Sequence, residues 1–182
     1  MGLARHGRAF VVLAFFIAAT GWADNHAALI DKARSAAPAL VSVDATVAYR
    51  GKILASGTNG WTCLPETLPD DNAPMCNDAV WMELMTALMA GEDYTADKLG
   101  VSYMLQGDAG VSNSNPAHPA GSNAPDLIKE GAHLMLAVPR AMLEGMTDDP
   151  HAGGPYVMWK DTPYAHIMVP LEDENRSKPP SQ

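Results

Sequence analysis

The chain has little basic charge: 12 lysines and arginines stand against 21 aspartates and glutamates, a formal charge of −9. So acidic a chain is a poor partner for nucleic acid or an anionic membrane surface, and it leaves cationic or neutral partners open. Cysteine is almost absent, with only Cys63 and Cys76. Their spacing is neither C-x-x-C nor that of a zinc finger, so they are expected to form one disulfide rather than a metal or redox pair. Long apolar runs are missing too. After the first 23 residues nothing approaches the roughly 20 residues that span a bilayer. Nor is there a G-x-S-x-G elbow, an H-E-x-x-H helix or an EF-hand spacing, which removes the compact signatures of a serine hydrolase, a zincin and that class of calcium site.

What is present begins with a leader. Met1 to Arg8 carries Arg5 and Arg8 and no acid, Ala9 to Ala19 is apolar, and Gly21-Trp22-Ala23 puts small residues three and one positions before a cut. This is the layout of a secretory signal peptide over residues 1–23. No cysteine follows the apolar run, so a lipoprotein anchor is excluded. Cleavage after Ala23 would leave 159 residues and 10 basic side chains against 21 acids, a formal charge of −11. A periplasmic or secreted, soluble protein is expected, with one domain over residues 24–171. The charged, proline-rich tail of residues 172–182 is expected to be disordered.

Helix formers over Asn25 to Ala36, closed by Pro38, predict a first helix. Val43 to Tyr49 and Lys52 to Ser56 are β-prone runs around Arg50-Gly51 and predict a hairpin, with Gly57 and Gly60 read as a bulge in its second arm. Thr58 to Pro65 reads as the end of a strand. The proline-rich segment between the cysteines reads as a loop, so the Cys63–Cys76 bond is expected to pin a strand to the helix that follows. That helix, Asn77 to Ala90, has Asn77 or Asp78 as cap and Gly91 as stop. Its stripe of Trp81, Leu84, Met85 and Leu88 is expected to pack as core, methionine being suited to irregular gaps. Four more strands are predicted at Val101 to Gln106, Ala132 to Val138, Pro155 to Lys160 and Tyr164 to Pro170, with a short helix over Arg140 to Met146. Gly107 to Asp126 reads as a long polar loop. The expected fold is α+β: a largely antiparallel sheet of about five to six strands with one main helix on a face.

One pattern repeats. Ala132-His133-Leu134-Met135 recurs as Ala165-His166-Ile167-Met168, and each runs on to Val-Pro. Strand alternation puts His133 with Met135, and His166 with Met168, on one face, where Tyr164 joins them. Imidazole with thioether is a ligand set suited to copper, Cu(I) in particular, while ordinary core or pocket lining accounts for the same residues. Tyr103, Tyr156, Trp159, Tyr164 and His166 are the expected lining of a pocket for a small ligand or protein partner, although Tyr156 and Trp159 have opposite strand parity. The alternative is a hydrolase in which His133 or His166 is a general base oriented by Asp148 or Asp149.

Gly57-Thr58-Asn59-Gly60-Trp61-Thr62-Cys63-Leu64-Pro65, Pro74-Met75-Cys76, Tyr103-Met104-Leu105-Gln106-Gly107, Gly153-Gly154-Pro155-Tyr156-Val157-Met158-Trp159 and Thr162-Pro163-Tyr164-Ala165-His166-Ile167-Met168 together resemble a family of small exported bacterial proteins, described only as signal-peptide or hypothetical proteins. The resemblance covers roughly residues 45–170. It implies export and a single domain, and carries no activity with it.

Overall fold

The computed structural model describes residues 20–118 and 122–172. Residues 1–19 of the expected leader and 173–182 of the expected tail lie outside it. In chain order the elements are α1 (Thr20–Arg34), α2 (Ala39–Ser42), β1 (Thr46–Tyr49), β2 (Lys52–Ala55), β3 (Thr62–Leu64), β4 (Met75–Asn77), α3 (Ala79–Ala90), β5 (Gly100–Met104), β6 (Val111–Ser112), β7 (Leu127–Ile128), β8 (His133–Ala137), a 3-10 turn (Arg140–Leu143), β9 (Tyr156–Met158) and β10 (His166–Pro170). Eight strands form one sheet in the order β2-β1-β3-β4-β5-β8-β10-β9, and β6 pairs with β7 in a small second sheet.

The class is α+β, but the expected sheet of five to six strands under one helix is wrong on two counts. Among the described residues there are eight strands in a mixed sheet and three α-helices. The uncounted strands are short. β3 and β4 have three residues each, too few for alternation to show beside Pro65 and Pro74. The sheet is mixed because β3 runs parallel to β1, with Thr46 opposite Thr62 and Val47 opposite Cys63. To arrive there the chain leaves β2 and wraps round the start of β1. Thr58 donates its N–H to Asp44 O at 2.9 Å, Thr46 donates to Trp61 O at 2.9 Å, and Gly57 donates to the Thr46 hydroxyl at 3.1 Å. At Gly57 a Cβ would overlap the backbone of Ala45 and Thr46. The glycine is therefore a crossover point, not the bulge expected in the second arm of the hairpin.

The sheet is covered on both sides. α1 lies over β1 to β4, burying Ala33, Ala36, Val47, Cys63 and Cys76 together. Beside it on that face, Val157 and Ile167 pack under Leu143 of the 3-10 turn. α3 covers the opposite face, where Trp81 and Leu84 meet Met75, Met104, Met135, Met158 and Met168. Asp78 fixes where α3 starts: its Oδ1 accepts from Trp81 N–H at 2.8 Å, and its Oδ2 accepts from Val101 N–H of β5 at 2.8 Å. One carboxylate thus caps the helix and ties it to the sheet.

Cys63 and Cys76 are disulfide-bonded. They sit opposite each other in the antiparallel β3–β4 pair. The bond therefore joins two neighbouring strands rather than a strand and a helix, because Cys76 lies on β4, two residues before the α3 cap. Among the described residues no helix is long and apolar enough to cross a membrane.

Candidate functional site

β8 and β10 are antiparallel neighbours, with Met135 opposite Met168 and His133 opposite Pro170. Alternation sends His133, Met135, His166 and Met168 to the α3 face, and β9 adds Tyr156 and Met158 through its own pairing with β10. β5 adds Met104 opposite His133, and Met75 of β4 belongs to the same apolar cluster. Thioethers do not fill the space under α3 completely. A cavity of about 100 Å³ remains, roofed by Leu84, Met85 and Leu88, floored by the five buried methionines, and bounded by His133, His166, Trp81 and Trp159. Thr67, Leu68, Asp71, Asp108 and Ala109 form its rim. The stripe of α3 expected to be plain core is thus partly a cavity wall.

The cavity's few polar atoms are unusual. His133 Nδ1 lies 2.7 Å from Gly131 O, and His166 Nδ1 lies 3.0 Å from Tyr164 O. A carbonyl only accepts, so each Nδ1 carries the proton and each neutral Nε2 presents a lone pair. Both Nε2 atoms are buried without a partner, as is the Trp81 indole N–H. Trp81 and Trp159 stand edge-on to His166, with ring centroids 5.1 and 5.0 Å away. Burial pushes the His166 imidazole down to about 4, against the hydrogen bond to Tyr164, and pushes His133 down as well. Both rings are held neutral.

The copper expectation is overturned. Among the described residues no group of three or more histidine, cysteine or acidic side chains is placed to hold a metal ion. His133 and His166 are also four register positions apart along paired strands, about 13 Å at the usual rise per residue. For the hydrolase alternative, neither His133 nor His166 is hydrogen-bonded to Asp148 or Asp149. Among the described residues the hydrogen-bond partners of the two imidazoles are backbone carbonyls. Asp148 instead pairs with Lys160 at 3.0 Å on the surface, and Asp149 accepts from His151 N–H.

Of the five expected pocket residues, Trp159 and His166 line the cavity. The parity conflict at Trp159 disappears because β9 ends at Met158 and Trp159 takes a left-handed φ of 55°, with its indole N–H donating to Ser112 O at 2.9 Å. Tyr156 is buried on the correct face, but its hydroxyl donates to Glu130 Oε1 at 3.0 Å. The Tyr164 hydroxyl donates to Glu92 O at 2.9 Å. Tyr103 is on the other face against Trp61. The 107–126 segment, expected as an open loop, contains β6, and Ser112 Oγ and Ser114 N–H donate to Asp126 at 2.8 Å.

Asp108 belongs to the site without any signal in the sequence beyond its Gly107-Asp108-Ala109-Gly110 turn. Its Oδ1 accepts from Gly110 N–H at 2.9 Å and Glu130 N–H at 3.2 Å. Burial pushes its carboxyl up to about 6, against those two bonds. In the window from about 6 down to the unfolded 3.8 the folded chain holds the proton and the unfolded chain does not, so Asp108 contributes stability as pH falls. His166 acts in the opposite sense: between the unfolded 6.5 and about 4 only the unfolded chain takes the proton, so stability is lost as pH falls. We expect Asp108→Asn to raise stability by about 2 kcal/mol at pH 7.5, where the buried carboxylate is charged, and to change nothing at pH 4. Urea melts at the two pH values check this; a variant no more stable than the parent at pH 7.5 refutes it. Comparison with protein families, with curated proteins and with solved structures finds no match for this chain.

Proposed function

We propose that the protein is a non-catalytic binding module for a small, largely apolar organic molecule carrying a hydrogen-bond donor, held under α3. The observation that carries this is the pair of buried Nε2 lone pairs, on His133 and His166, facing an otherwise apolar cavity. A buried acceptor left unpaired costs about 1–3 kcal/mol, and a ligand N–H or O–H recovers it. The size is restrictive. About 100 Å³ is two-thirds of the roughly 150 Å³ that admits benzene in an engineered apolar cavity, so a molecule of about four to six heavy atoms fits. Thioether walls adapt to such ligands at small cost. We place the module in an exported setting as well, since an oxidising compartment suits the Cys63–Cys76 bond.

The test is titration with n-butanol and cyclopentanol, followed by NMR of methionine methyls and histidine nitrogens. Met104, Met135, Met158 and Met168 are expected to shift while the exposed Met89 and Met142 stay still. One or both Nε2 resonances should move in the direction of an accepted hydrogen bond. Equal shifts at exposed and cavity methionines, or none at saturating alcohol, overturn the proposal.

A further inference from the structure

The cavity is not the end of the space around Asp108. A polar cleft of about 500 Å³ lies outside it, bounded by Asn72, Gln106, Lys129 and Glu130, and it shares Asp71, Asp108 and Ala109 with the cavity rim. Those three residues are the boundary between a polar vestibule and an apolar chamber. The two acids differ in what they have left to offer. Asp71 is committed to its own loop: Oδ1 accepts from Thr67 and Ala73 N–H at 3.2 and 3.0 Å, and Oδ2 accepts from Leu68 N–H at 2.7 Å. Asp108 uses only Oδ1, leaving Oδ2 as an accepting atom that no protein donor occupies.

A second, independent feature lies at the same end. His133 is fully buried, lines the cavity, and has its Nε2 unpartnered. His133 and Asp108 line the same cavity on segments that the register ties together: Met104 pairs with His133, Asp108 N–H donates to Glu130 O at 3.1 Å, and Glu130 N–H donates to Asp108 Oδ1 at 3.2 Å. A carboxylate and an imidazole lone pair, both accepting, thus belong to the lining of one apolar chamber. A group with several donors and a positive charge satisfies both, and an ammonium has three. The other end, with Met168, Trp81 and His166, is thioether and aromatic edge, suited to a short hydrocarbon body.

We infer that the ligand is a small amphipathic primary amine, its ammonium held by Asp108 Oδ2 and His133 Nε2 and its apolar body lying under α3. This rests on the binding reading above and specifies its donor. The overall acidity favours approach of such a cation. Around Asp108 the charged and titratable groups are Lys129 and Glu130 before β8, Asp71 on the disulfide loop and His133 on β8, so Lys129 is the single cation among them. Selectivity against a neutral isostere comes from the ion pair, which burial strengthens.

The experiment compares n-butylamine with n-butanol by calorimetry on the intact protein. At pH 7.5 the amine is expected to bind at least about tenfold tighter. At pH 5 a primary amine, like lysine, is still protonated, so a preference that falls below about twofold there reports Asp108 itself. The same collapse of the amine-over-alcohol preference is expected for Asp108→Asn at pH 7.5. Glu144→Gln, at an exposed acid that lines neither the cavity nor the cleft, controls for a general loss of negative charge and should keep most of the preference. Equal binding of amine and alcohol at pH 7.5 overturns this inference and leaves the binding module standing. A preference that survives Asp108→Asn puts the cation elsewhere and also overturns it. If neither compound binds, both readings fall.

Discussion

Gly57→Ala should unfold the protein at a markedly lower urea concentration, with a loss of about 3 kcal/mol or more. Overpacking in a protein interior typically costs about 1–3 kcal/mol when side chains can move aside. Here the added methyl would meet the backbone of Ala45 and Thr46, which cannot rotate away. Relieving it means pulling residues 56–61 off the start of β1. The Thr58 to Asp44 and Thr46 to Trp61 bonds, which set the parallel β1–β3 register, then go as well. With a slope near 2 kcal/mol/M, the midpoint should fall by about 1.5 M. Gly60→Ala is the comparison. Its φ of +80° disfavours alanine, but no atom lies within 4 Å of the new methyl, so the loss should stay near 1 kcal/mol. Equal losses at the two positions would show that the crossover is not sterically closed.

Breaking the Cys63–Cys76 bond is expected to have an effect of similar size by a different route. The closed segment is short, with a sequence separation of 13, and the chain-entropy model gives about 3 kcal/mol for a loop near this length. For a domain of this size that is a fall in Tm of about 6–12 °C. Cys63→Ala/Cys76→Ala is the cleaner variant, because both sulfurs are fully buried beside Ala33 and Ala36 and a serine would bring in a hydroxyl. Reduction of the parent should reproduce the variant's Tm. The bond lies on the α1 face and the cavity on the α3 face, so affinity for a cavity ligand should stay unchanged at temperatures where both forms are folded. Two titratable thiols in unreduced protein, or a Tm insensitive to reductant, would refute the prediction.

What the residues disclosed in advance follows the length of each element. β8 and β10 have five residues each, enough for His133-Met135 and His166-Met168 to show their common face. The α3 stop at Gly91 was equally plain and its cap was narrowed to Asn77 or Asp78, of which the fold uses Asp78, since capping chemistry is local. The cysteine pairing was legible by number alone, but its setting was not: three-residue strands beside prolines carry no period. β6 and β7 were hidden for the same reason inside a Gly, Ser and Asn segment. The cavity needed more than alternation. Trp159 joins it through a backbone turn that breaks strand parity, and Asp108 through a loop whose partner, Glu130, is 22 residues away. Tyr103 was misplaced because β5 is covered by a layer on each face, and the α1 face, against Trp61, takes a partly buried aromatic residue as readily as the other.

The strand order has a consequence for the history of each molecule as it is made. Apart from local exchanges, neighbours in β2-β1-β3-β4-β5-β8-β10-β9 follow the direction of the chain. Every partner of β1, β2 and β3 lies before Asp78, and the Cys63–Cys76 bond lies wholly within that portion. A growing chain can therefore register and covalently lock its first four strands against α1 while the methionine-bearing strands β8 to β10 have yet to emerge. β5 then adds to the existing template at β4, and β8, β10 and β9 follow outward from it in turn. The cavity under α3, walled by residues of β8, β9 and β10, is thus the part of the described fold that closes last.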